Sequence, residues 1–226
     1  MPSCNQIISA LAVMAVAGTN AAFGPAFSTG PVASNSFIRE STSTLVLPAP
    51  PTNNQGDASL WVGMGTSNGD LIQSIADNAK STVVGASKWN IFAYTLLAKG
   101  PSGGQEPVQG DEAPAVAGDK ITMHYKYNDS TKQYDQTTQI NGKTVSTLST
   151  TDGHAQGWGS AVECAAEDCG SMGAHTWINT KIILDVADPN YSRTMVKGTG
   201  VTGEMSTSDG GKTWTISTIS IPAYTF

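Results

Sequence analysis

Two cysteines, Cys164 and Cys169, are separated by four residues, and in an oxidising compartment that spacing closes a small disulfide loop. His124, His154 and His175 stand at no zinc spacing to them, so no metal site is expected. The chain has no phosphate-cradling glycine loop, and no cofactor is expected. Trp61, Trp89 and Trp177 are candidate platforms for a sugar or another flat ligand; the alternative is that they fill the core. Asn128 and Asn190 each open an Asn-x-Ser sequon, a glycosylation signal in an exported chain.

Composition narrows the partners. The 226 residues carry 12 Lys and Arg against 18 Asp and Glu, a net charge of −6, which leaves no basic face for nucleic acid. With 23 Ser, 26 Thr and 24 Gly but only 13% charged residues, the chain is polar, uncharged and rich in β-branched and turn residues. Its 39% hydrophobic residues suffice for a core. The apolar run from Ile7 to Ala17 is too short to span a bilayer. Small residues follow it, so residues 1–21 read as a signal peptide of a secreted protein, with a buried strand or helix as the alternative and no stable membrane insertion.

Those residues must be positioned by strands. Residues 22–42 read as a flexible lead-in and residues 43–226 as one domain. Segments 60–64, 70–75, 90–97, 120–128, 176–186, 194–205 and 212–223 have strand composition or period-two alternation. Gln133–Ile140 and Lys143–Thr150 flank Asn141-Gly142 and read as a hairpin. Residues 99–117 read as a long surface loop and 151–173 as irregular. Thr207 to Trp214 has the spacing of an Asp-box, and as a single copy it reads as a turn. No segment beyond the N-terminal run has helical periodicity, so the fold class is all-β, a two-sheet antiparallel sandwich or jelly roll.

Thr44-Leu45-Val46-Leu47-Pro48, Ala58-Ser59-Leu60-Trp61-Val62-Gly63-Met64, Leu71-Ile72-Gln73-Ser74-Ile75, Ala117-Gly118-Asp119-Lys120-Ile121-Thr122 and His175-Thr176-Trp177-Ile178-Asn179-Thr180 follow in order along the chain. Together they resemble the strands of the eqolisins, secreted glutamic peptidases known chiefly from fungi. The resemblance runs from about Ser43 to the C-terminus. It implies a bent, concanavalin-like sandwich with a substrate groove on its concave face. It also implies that Gln73 is the catalytic glutamine, which stabilises an oxyanion, and that Asp77 stands at an acidic position of the family. The family's catalytic glutamate, the base that activates water, falls on Thr180. Two further acidic groove positions fall on Gly65 and Ala93.

A neutral threonine does not deprotonate water at ordinary pH. The sequence therefore predicts a neutral, apolar groove, with Gln73 and Thr180 as catalytic residues and Trp61, Asp77, Trp89, Tyr94, Trp177 and Asn179 around a small unsaturated or hydrophobic ligand. Such a groove suits cyclisation or cycloaddition of a secondary metabolite by positioning and carbonyl polarisation. Two alternatives stand beside it. One is a non-catalytic module that binds a glycan or small ligand. The other is an acid peptidase in which Asp77 or a glutamate of the 163–167 loop replaces the missing base.

Overall fold

The computed structural model describes residues 21–79, 87–100, 103–166 and 168–226. The expected signal segment lies outside this range except for Ala21. The strands are β1 (Ala22–Phe23), β2 (Phe27–Thr29), β3 (Ile38–Val46), β4 (Asp57–Thr66), β5 (Leu71–Ala79), β6 (Trp89–Ala98), β7 (Gln105–Ala115) and β8 (Lys120–Asn128). They continue as β9 (Gln133–Ile140), β10 (Lys143–Thr150), β11 (Ala155–Ala166), β12 (Ser171–Met172), β13 (His175–Leu184), β14 (Val196–Lys197), β15 (Thr213–Ile221) and β16 (Tyr224–Thr225). One sheet runs β14-β2-β11-β4-β5-β6-β7, with β1 added on β11; the second runs β10-β9-β8-β3-β13-β15. The fold is thus an all-β sandwich of two antiparallel sheets.

Alternation makes these strands. In β8, Ile121, Met123, Tyr125 and Tyr127 are buried while Lys120 and Lys126 are exposed, the pattern of a sheet with one wet face. Between β9 and β10, Asn141 and Gly142 have φ of 50° and 82°, the two positive values that a type I′ turn requires. The core lies between the sheets. Leu60, Val62, Ile72, Trp89 and Ile91 of one sheet and Leu45, Ile121, Met123, Trp177 and Ile216 of the other are all at most 1% exposed. Polar groups inside it are paired: Tyr125 donates to the Val62 carbonyl (2.6 Å) and accepts from the Ser74 amide (2.7 Å), which ties the sheets together at low desolvation cost. Every residue of β5 is buried, because one face packs in the core and the other forms the floor of a cleft.

Several expectations need correction. Residues 22–42 are not simply loose, since β1, β2 and the start of β3 arise there and Phe27 is fully buried. The expected loop 99–117 contains β7, an edge strand; Pro107 and Pro114 hid it, although prolines are tolerated at an edge. The expected irregular segment 151–173 holds β11, the strand next to β4 in the middle of its sheet. Gly157 and Gly159 interrupt its apolar pattern on one face only. The expected strand over 194–205 shrinks to Val196–Lys197. The turn at Thr207 to Trp214 forms as read: the Asp209 carboxylate accepts from the amides of Lys212 and Thr213, and the Trp214 indole donates to the Gly211 carbonyl.

Candidate active site

The outer face of the larger sheet encloses a cleft of about 590 Å³. Its floor can be read as rows of residues paired across the strands, successive rows lying about 7 Å apart along them. At one end, Asp57 faces Ala79. The next row is Glu163–Ser59–Asp77–Asn90, from β11 through β4 and β5 to β6. Then comes Ala161–Trp61–Ile75–Phe92–Glu112, and then Gly159–Gly63–Gln73–Tyr94–Gln109. Leu71, Leu96 and Pro107 close the far end. Strand alternation delivers each of these side chains to one face, while their neighbours Leu60, Ile72, Ile91 and Val162 go into the core.

Carboxyl groups dominate one end. Asp57, Asp77, Glu112 and Glu163 all line the cleft. Asp77 is held well above the usual carboxylate range, first by burial, then by its hydrogen bond to Asp57 and the charges of Asp57 and Glu112, against a lowering bond from the Ala79 amide. This surrounding favours the protonated, neutral form of Asp77. Burial also raises Glu163, opposed by the Trp61 indole, which donates to Glu163 Oε2 at 2.6 Å. The other end is apolar: Trp61, Leu71, Ile75, Phe92 and Ala161 form a buried cluster with Tyr94 and Leu96 against it. Gln73 is 4% exposed, and its Oε1 has no partner among the described residues.

The predicted site residues separate into two groups. Gln73, Asp77, Trp61 and Tyr94 line the cleft. Thr180, Trp89, Trp177 and Asn179 are not among its lining residues. Thr180 sits on β13 in the other sheet, 1% exposed, with its hydroxyl 2.7 Å from that of Ser43. Asn179 and Thr180 together oppose Ser43 as a β-bulge, and Asn179 takes φ of 56° there and points to solvent. Trp89 donates to the Pro48 carbonyl inside the core, and Trp177 is fully buried. With Trp61 only 1% exposed as well, none of the three forms a sugar platform. Ala93 faces the core, its amide donating to Ser146, so it does not replace a groove residue.

The largest correction is to the groove's chemistry. The resemblance placed acidic positions on Thr180 and Ala93, which do not face the cleft, and so predicted a neutral groove. The cleft instead holds four carboxyl groups, two of them, Asp77 and Glu163, already considered as replacement bases and two, Asp57 and Glu112, not anticipated. Asp57 was legible in principle, because Asp57-x-Ser59-x-Trp61 shares one face of β4. Glu112 was hidden with the unrecognised edge strand. Thr180→Val should leave any activity in the cleft unchanged and cost about 1 kcal/mol of stability through the orphaned Ser43 hydroxyl; denaturant titration beside an activity assay checks this.

Two other expectations concern export. Cys164 and Cys169 form a disulfide on the core side of β11, directly after Glu163. Asn190 is exposed ahead of a short 3-10 helix, whereas the Asn128 amide donates to Asp135 and its carbonyl accepts from the Ser130 amide.

The chain matches no protein-family model and no curated protein. Among solved structures it is similar to scytalido-glutamic peptidase bound to a transition-state analogue inhibitor, with a TM-score of 0.53 and 14% identity over 88% of this chain and 98% of that one. It is likewise similar to SCP-B, an eqolisin peptidase in complex with the tripeptide Ala-Ile-His, with a TM-score of 0.50, 14% identity and the same coverage. A Bacteroides ovatus GH16 protein in complex with a glucan product aligns over 65% of this chain and 72% of its own, with a TM-score of 0.42 and 13% identity. At these identities the likeness is one of fold: an eqolisin-like β-sandwich.

Proposed function

We propose that the cleft is the active site of an exported acid hydrolase that cleaves peptide bonds with the Asp57–Asp77 pair. The observation that carries this reading is the placing of those two carboxyl groups together on the cleft floor, diagonal to each other on β4 and β5, with Asp77 held above the usual carboxylate range. Two neighbouring carboxyl groups in unequal environments supply an acid and a base at once. Its partner, Asp57, takes a proton from water as the water oxygen attacks the carbonyl carbon. Asp77 gives its proton to the carbonyl oxygen as the tetrahedral intermediate forms. When the carbon–nitrogen bond breaks, the amine leaves with a proton returned from the pair, and acid and amine are released.

Glu163, held by Trp61, stands across Ser59 from Asp77, about 10 Å away between Cα atoms, and closes the wall. Gln73, four residues along the strand from Asp77, is too far to polarise the same carbonyl. It serves instead to hold substrate backbone, its unpaired Oε1 accepting a substrate N–H. The likeness to two peptidases supports peptide as the polymer, and the disulfide suits an oxidising, extracellular setting. The neutral groove on which ring-forming chemistry would rest is not present. The test is digestion of a denatured protein between about pH 2 and 6, where the pair holds its proton. Fragments are expected in that range, and an intact substrate throughout it overturns the reading.

A further inference from the structure

The carboxyl end of the cleft is unbalanced in hydrogen-bonding type. Asn90 donates its side-chain amide to Glu112 Oε2 at 2.6 Å, and Gln109 donates to the same oxygen at 3.2 Å. That leaves Asn90 Oδ1 without a partner among the described residues, although Asn90 is only 4% exposed. Asn90 stands beside Asp77 on the adjacent strand, and Glu112 beside Phe92 one row on. Asp77, held toward its protonated form, lies diagonal to Asp57 on the neighbouring strand. What remains there is a set of acceptors: Asn90 Oδ1, the Glu112 carboxylate and, across Ser59, Glu163. No described lysine, arginine or histidine lines the cleft to satisfy them.

A buried amide oxygen without a donor costs about 1–3 kcal/mol, and grouped carboxylates repel one another. Both costs fall when a ligand brings N–H donors and positive charge. Metal is the poorer candidate, since among the described residues no three His, Cys, Asp or Glu gather closely enough to hold an ion. A side-chain ammonium or guanidinium fits better. It offers several donors, its aliphatic stem can lie along Phe92 and Ile75 in the neighbouring row, and it remains charged at the acid pH where the carboxyl pair works.

We propose that the Asn90–Glu112 corner is a subsite for a lysine or arginine side chain, so that the enzyme selects peptides carrying a basic residue beside the bond it cleaves. This rests on the reading of the cleft as a peptide site, and binding separates it from catalysis. Three fluorescent heptapeptides, identical except for lysine, norleucine or glutamate at the centre, are titrated into the full chain at about pH 6 and followed by anisotropy. The lysine peptide is expected to bind about tenfold or more tighter than the norleucine peptide, and the glutamate peptide weakest. Glu112→Gln should bring the lysine-to-norleucine ratio close to one; Glu112 is exposed on an edge strand, so this change leaves the fold intact. Lysine and norleucine peptides of equal affinity, or a ratio unmoved by Glu112→Gln, overturn the proposal. Cleavage without preference for basic residues overturns this subsite alone, whereas lysine-selective binding without acid cleavage supports it and removes the hydrolytic reading.

Discussion

Asp77→Asn is expected to lower kcat/KM for peptide cleavage by about 10²–10⁴-fold. Asparagine has the same shape, and its NH2 can still donate to Asp57, so the pair's geometry survives. It has no proton to give to the carbonyl oxygen and none to return to the leaving amine. The substitution also removes a buried group that resists ionisation, so the variant should be at least as stable as the parent at neutral pH. Loss of activity with a retained or raised Tm identifies Asp77 as a chemical residue rather than a packing one, in the manner of sites that trade stability for function. Asp57→Asn should match it, because the base is then missing. Glu163→Gln should cost less, since Glu163 shapes the wall and shares no proton with the pair. Full activity in Asp77→Asn would show that the carboxyl pair is not the catalyst.

The second large effect is a stability that rises with acidity. Burial holds Asp77, Asp152 and Glu163 above the ordinary carboxylate range, and Asp152 reaches about 7. A carboxyl group raised in the folded state binds its proton more tightly there than in the unfolded chain. Its contribution is fully present below the unfolded pKa and is lost as pH climbs through the folded one. For Asp152 that window runs from about 4 to about 7, and the loss is on the order of 4 kcal/mol. His175 works the other way: burial lowers it to about 4, so its contribution is lost as pH falls from about 6.5 to about 4. Three carboxyl groups outweigh one imidazole. Tm is therefore expected to rise by roughly 10 °C as pH falls from about 8 to about 5. Asp152→Asn should flatten the curve: the amide oxygen can keep the bond that Asp152 Oδ2 accepts from Thr150, and an amide does not titrate. A Tm that falls steadily over that range overturns the assignment.

Most of the sandwich was legible in the sequence because half-buried strands announce themselves by alternation. The hairpin around Asn141-Gly142 and the β8 pattern follow from it, and the strands carrying Trp61, Gln73 and Phe92 follow from their apolar and β-branched composition. What escaped notice has a common cause. In β11, one face is Trp158, Ser160, Val162 and Cys164, and the other is Gly157, Gly159, Ala161 and Glu163; the second face has too few side chains to display a period. In β7, the edge position tolerates Pro107, Pro114 and many polar residues, so no apolar signal is required. With those two strands unseen, Glu112 was hidden and Glu163 read as a loop residue, while the resemblance placed the family's glutamate on Thr180. That residue has the right neighbours in sequence and the wrong sheet in space. Local pattern locates a strand well, but which strands share a face is a long-range fact.

The rows across the cleft floor also bear on how such a protein diverges. On a pleated strand a displacement of two residues preserves the face, so a functional group can migrate by one repeat while core, topology and disulfide stay as they were. Here Gln73 has Gly63 and Gly159 on one side and Tyr94 on the other, while the acids have gathered two repeats away around Asp77. The scaffold thus permits one architecture to carry its polar groups at different rows. Sandwiches of this kind are better compared by which face a residue occupies than by its place in an aligned column.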